Sequence, residues 1–181
     1  MVREINQAGL DLIKGFEGLG DGDAKTANLD PYLDPIGIWT IGWGHAIWDG
    51  NDFLRGAKNK RRAAALYPNG ITIPQAEALL RADLLETCRD VQTMITRAVA
   101  DNQFAALVSF AYNCGAGNLK KSTLLRLVNA GDFSGAAGEF GKWNKAGGKE
   151  LAGLTKRRSA EASLFNMPDA PLPTPGKGAP S

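Results

Sequence analysis

Two periodicities divide the chain. Ile5, Ala8, Leu12, Ile13 and Phe16 recur at helical spacing around Asn6, a residue type that favours N-caps. They predict a first helix that closes near Gly15 and Gly18, with Glu17 in its last turn or just beyond. Leu19 to Asp30 shows no period and reads as a surface loop. From Pro31 to His45, β-branched and aromatic residues flank Asp34-Pro35-Ile36-Gly37, which has type I turn preferences, so a hairpin is expected. Ala46 to Gly70 has only a weak pattern. Thr72 then caps a long helix with Pro74 in its first turn and an apolar stripe at Ala76, Leu79, Leu80, Leu84, Val91 and Ile95. Asp83 falls inside that stripe and needs a partner. Further helices are predicted around 102–113, 122–129, 134–144 and 155–165, with glycines between them. The pattern is that of an α+β domain, mostly helical with one small β-hairpin lobe at about 18–70. The domain is expected to span 1–167. From Pro168 to Ser181, five prolines alternate with Ala, Gly and Ser around a single large apolar residue, Leu172, which predicts a flexible tail over 168–181.

Composition narrows the chemistry. The 181 residues are 44% hydrophobic and 22% charged, ordinary globular usage, and 21 basic against 19 acidic residues leave a net charge of +2. That excess is too small to argue for a nucleic-acid partner. One histidine, His45, and two cysteines, Cys88 and Cys114, cannot build a multi-histidine or four-cysteine metal site, so neither metal nor cofactor is expected. Asp21-Gly22-Asp23 invites a calcium-loop reading, but the sixth and twelfth places of such a loop hold Thr26 and Tyr32 instead of Gly and Glu. The first residues form no apolar run of signal-peptide length, and no stretch approaches ~18 apolar residues. Neither export by an encoded signal nor stable membrane insertion is expected.

Paired carboxylates are then the natural place to look. Glycoside hydrolysis needs one protonated carboxyl group and one ionised one. Glu17, at a helix C-terminus beside Phe16, is placed to have its pKa raised. Asp34, in a turn among backbone N–H groups, is placed to stay ionised. On residue chemistry alone, two ordinary surface acids remain the commoner explanation.

Gly15-Phe16-Glu17-Gly18, followed by Tyr32-Leu33-Asp34-Pro35-Ile36-Gly37-Ile38-Trp39-Thr40-Ile41-Gly42-Trp43-Gly44-His45, resembles the signature of bacteriophage-type lysozymes, the endolysins of glycoside hydrolase family 24. The similarity continues through Ile71 to Asp83, Ala106 to Asn113, Ser122 to Leu125, Trp143 to Gly148 and Gly153 to Phe165. The resemblance implies a lysozyme-like domain with a cleft between its lobes. It also implies hydrolysis, with inversion, of the β-1,4 bond between N-acetylmuramic acid and N-acetylglucosamine in peptidoglycan. Glu17 would be the general acid; Asp34, helped by Thr40, would activate the water. Leu19 to Asp30 looks like an insertion, which makes Asp30 a competitor; Asp34 is retained because it directly precedes the glycine turn and the Trp-Thr-Ile-Gly run. His45 and Asp83 match a structural ion pair that would raise the His45 pKa, and Arg157 matches an arginine near the acid. Tyr32, Ser109, Tyr112, Asn113 and Arg157 are the candidate substrate contacts. Met94 and the tryptophans read as core residues.

By the same resemblance the protein would act as a monomer. It would start in the host cytoplasm and reach the wall in the periplasm through a holin-type pore. Two other readings stand beside this one. Cys114 with His45 could form a peptidase or amidase pair, and the basic clusters at 58–62 and 142–158 could form a binding module.

Overall fold

The computed structural model describes residues 1–23 and 25–169. Helix α1 spans Gln7–Glu17, with the Asn6 side chain accepting from the Gly9 N–H and Gly18 ending it at φ 74°. Its inner face is Gly9, Leu10 and Ile13. Phe16, by contrast, is exposed, because the helix packs on Gly9, where an added Cβ would lie 2.5 Å from that of Ala105.

The β lobe is a three-stranded antiparallel sheet in the order β1 (Tyr32–Leu33), β2 (Trp39–Ile41), β3 (His45–Ala46). The Gly37 N–H donates to the Asp34 carbonyl and closes the first turn. Tyr32 pairs with Thr40, and Thr40 with Ala46. Trp39, Ile41 and Ile47 turn into the core. Helix α2 (Lys60–Leu66) went unpredicted because only Ala63 of its seven residues is buried, so it carries no apolar stripe.

Helix α3 (Ile73–Met94) opens with a full capping box between Thr72 and Gln75 and buries Ala76, Leu80, Leu84, Cys88 and Val91. The other helices are α4 (Asp101–Cys114), α5 (Ala116–Lys121), α6 (Thr123–Ala130), α7 (Phe133–Glu139) and α8 (Ala152–Asn166). Helix α4 runs through the middle, with every residue from Phe104 to Ala111 buried. The helix expected at 134–144 tightens into a 3-10 turn at Phe140–Trp143. A second hairpin, β4 (Lys145–Ala146) with β5 (Lys149–Glu150), turns on Gly147 and Gly148, whose φ values of 56° and 79° suit a tight turn that glycine pairs favour. All four strand residues are exposed, so no burial alternation marked them in the sequence.

The helices and the β lobe share one continuous apolar cluster. Among the tryptophans, Trp39 and Trp43 belong to it, but Trp48 is half exposed and rests edge-on against Phe53, which corrects the core assignment for that residue. Of the expected tail, Pro168 and Asp169 dock back. Their contacts are the Pro168 carbonyl with the Asn102 amide, and the Asp169 carboxylate with the Asp101 and Asn102 N–H groups at 2.8 Å each. An anion at the first turn of α4 satisfies donors that the helix leaves unpaired. The rest of the tail, 170–181, lies outside the described residues.

Candidate active site

Glu17 is the last residue of α1, followed by Gly18 as its C-cap. The pairing of Tyr32 with Thr40 puts those two residues on one face of the hairpin, and Asp34 follows β1 directly as the first residue of the turn. The Asp34 Oδ1 accepts from the Ile36 N–H at 3.0 Å and the Ile38 N–H at 2.7 Å, which fixes the carboxylate in the turn. The Thr40 hydroxyl donates to the Ile38 carbonyl at 3.1 Å, and the side chain is buried.

Tyr32 opens the hairpin as the first residue of β1. Desolvation, then the Asp34 and Glu17 charges, push its phenol up, with hydrogen bonding from the Gly44 backbone working the other way. Its ring lies flat on Gly20, where an added Cβ would sit 2.1 Å from a ring carbon. Asp30 is placed elsewhere. Its carboxylate accepts from the Thr26 hydroxyl at 2.5 Å, and it lines a separate pocket with Trp39 and Lys60. Asp21 and Asp23 tie the same loop together by accepting from backbone N–H groups.

A cleft of about 440 Å³ opens over Glu17, walled by Phe16, Asn113, Leu151, Leu154 and Arg157. Arg157 Nη1 donates to Glu17 Oε1 at 2.8 Å, and the guanidinium sits 5.6 Å from the Phe16 ring centroid. Tyr112 is half-buried nearby. Burial first, then the Glu17 and Asp83 charges, push its phenol up to about 12, against the Arg157 charge.

Ser109 is a correction: it is 0% exposed and cannot meet a ligand in the cleft. Its hydroxyl donates to Glu161 at 2.7 Å. Arg158 and Glu161, which the sequence reading did not single out, are fully buried behind Arg157. The signal was present in their spacing, since they lie on a helical stripe between Leu154 and the pair Leu164 and Phe165, where apolar residues are expected.

His45 Nδ1 meets both carboxylate oxygens of Asp83 at 3.0 Å, which ties β3 to α3. Both side chains are partly exposed, at 26% and 31%, so Asp83 is less buried than its stripe position implied. Burial pushes the Cys114 thiol up, against the charge and hydrogen bond of Arg158, which donates to its sulfur. Cys88 and Cys114 are both free. Three arginines of the basic clusters have partners or are buried. Arg62 pairs with Asp49 at 2.7 Å, while Arg157 and Arg158 are buried.

A family model described as phage lysozyme matches residues 16–161. The endolysin of Bacillus phage B103 is 44% identical over 162 residues, covering 89% of this chain and 53% of that protein. The chain spans about half the length of the Bacillus phage endolysins it matches. Among solved structures, the muramidase domain of SpmX from Asticaccaulis excentricus superposes with a TM-score of 0.67 at 34% identity, covering 92% of this chain and 99% of that one. A mutant of P22 lysozyme superposes with a TM-score of 0.70 at 30% identity, covering 90% and 98%.

Proposed function

The chain belongs to the phage lysozyme family, whose model spans most of it, and from that premise we propose that it is an endolysin-type muramidase. Its substrate is the β-1,4 bond between N-acetylmuramic acid and N-acetylglucosamine in peptidoglycan, cleaved with inversion. The observation that carries this reading is Glu17, held at the end of α1 by Arg157 Nη1 at 2.8 Å where the cleft opens.

Glu17 gives its proton to the bridging oxygen as the bond to the anomeric carbon breaks. A water attacks that carbon from the opposite face and passes its proton to Asp34. Inversion of this kind needs carboxyl groups ~6.5–9.5 Å apart, with the water between them. Thr40, whose hydroxyl donates to the Ile38 carbonyl from a buried position, helps Asp34 hold that water. Arg157, at 2.8 Å, meets the negative charge that Glu17 acquires on donating. Tyr32, Tyr112 and Asn113 contact the sugars.

No helix among the described residues is long and apolar enough to cross a membrane. The protein acts as a monomer, made in the host cytoplasm, and reaches the wall in the periplasm through a holin-type pore. Digestion of purified peptidoglycan tests the reaction: reducing sugar ends should rise without free amines, and NMR should show the inverted anomer first. Glu17→Gln should abolish release while the thermal midpoint survives. Free amines would point to a peptidase or amidase, and anhydro-sugar products to a transglycosylase. Near-native release by the variant would remove Glu17 from the chemistry.

A further inference from the structure

Helix α8 carries charge where a core-facing helix normally carries apolar groups. Arg157, Arg158 and Glu161 are 5%, 0% and 0% exposed. One oxygen, Glu161 Oε1, accepts from Ser109 Oγ at 2.7 Å, Arg158 Nη2 at 2.9 Å and Arg157 Nε at 3.4 Å. Burial raises the Glu161 pKa, and the Arg158 charge, the Ser109 bond and Arg157 oppose that rise. Removing three charges from water is expensive, and well-packed apolar residues of similar volume are often at least as stabilising. Filling space does not account for this cluster.

The direction of its contacts offers a reason. Arg157 is held at two of its guanidinium nitrogens: Nε reaches back to Glu161 at 3.4 Å and Nη1 forward to Glu17 Oε1 at 2.8 Å, while Nη2 is buried with no hydrogen-bond partner among the described residues. Glu17 is itself only partly exposed, at 29%. It is the last residue of α1, followed by a glycine with φ 74°, so its own backbone constrains it on one side only. Arg158, wholly buried, brings a second positive charge to Glu161 Oε1 at 2.9 Å.

We propose that Glu161 is a positioning residue: by holding the inner edge of Arg157, it sets where Arg157 holds Glu17 in the cleft. This rests on the reading of Glu17 as the proton donor. A guanidinium released from Glu161 keeps Glu17 as its carboxylate partner but loses the anchor that fixes its angle. The acid then sits in the wrong place for the bridging oxygen, whereas the sugar contacts on the other cleft walls are untouched. Misplacement of a reacting group by about 1 Å costs on the order of 100-fold in rate.

The test separates turnover from binding. In Glu161→Gln, kcat on soluble peptidoglycan glycan strands should fall roughly 10- to 100-fold with KM unchanged. Ser109→Ala removes one donor to Glu161 without touching any charge or the cleft. It should lower kcat by about 3-fold at unchanged KM, since one of three anchoring bonds is lost. If Glu161→Gln does not fold, the serine variant decides alone. Unchanged kcat in the folded glutamine variant, or in the serine variant where it decides, overturns the proposal, as does a loss confined to KM. Glu17→Gln is run alongside. If it is inactive while kcat survives in the other two, positioning fails and the acid assignment stands; if it retains near-native kcat, the acid assignment itself has failed.

Discussion

Tyr112 shows how the cleft changes the behaviour of single residues. Its phenol is pushed up to about 12, first by burial and then by the Glu17 and Asp83 charges. In the unfolded chain the same group ionises near 10. A pKa raised by folding contributes stability that is fully present below pH 10 and is lost as the pH climbs toward 12. Alkaline absorbance titration should therefore show one tyrosine ionising last, near pH 12, and Tyr112→Phe should remove that step. The variant should also lose less stability above pH 10 than the parent. A tyrosine titration with every phenol near 10 would contradict this. At this scale, the helix end, the turn and the strand that carry Glu17, Asp34 and Thr40 were legible because each is local. Ser109 was misread as a cleft residue and Glu161 went unnoticed for one reason: each is defined by the other, 52 positions away, and no local pattern announces such a contact.

Elements were legible in proportion to how much of them is buried. Helices α1, α3 and α6 carry side-chain N-caps at Asn6, Thr72 and Ser122, and their stripes can be read directly. Helices α2 and α5 bury one residue each, Ala63 and Leu119, and gave almost no periodic signal. The hairpin of β4 and β5 buries none of its strand residues and is set by two glycines. The capping box of α3 can be tested on its own. In Thr72→Ala the Gln75 N–H loses its acceptor, at a cost of about 1 kcal/mol by denaturant unfolding. Activity at 25 °C should not change, because the cap lies outside the cleft. A loss below a few tenths of a kcal/mol would mean that the loop before the helix already satisfies those donors.

Across the whole molecule, the β lobe is tied to the helices at a few points along α3. His45 meets Asp83 at 3.0 Å, Lys14 meets Glu77 at 2.9 Å while lying 4.6 Å from the Trp43 ring centroid, and Gly42 lies against Ala76. The His45–Asp83 pair is partly exposed, so its loss should resemble that of a solvated ion pair. Asp83→Asn should cost about 1 kcal/mol or less and leave kcat intact. A collapse of several kcal/mol, or a large fall in kcat, would assign the pair a role beyond tethering. Local order thus determined the α+β class, the boundaries of the capped helices and the turn that holds Asp34, because caps, glycines and apolar spacing act within a few residues. The buried chain from Ser109 through Glu161 and Arg157 to Glu17 was decided only by tertiary packing. Those groups are joined across 52 and 140 positions, and charges so far apart in sequence find each other only when helices α1, α4 and α8 close on one another and exclude the water between them.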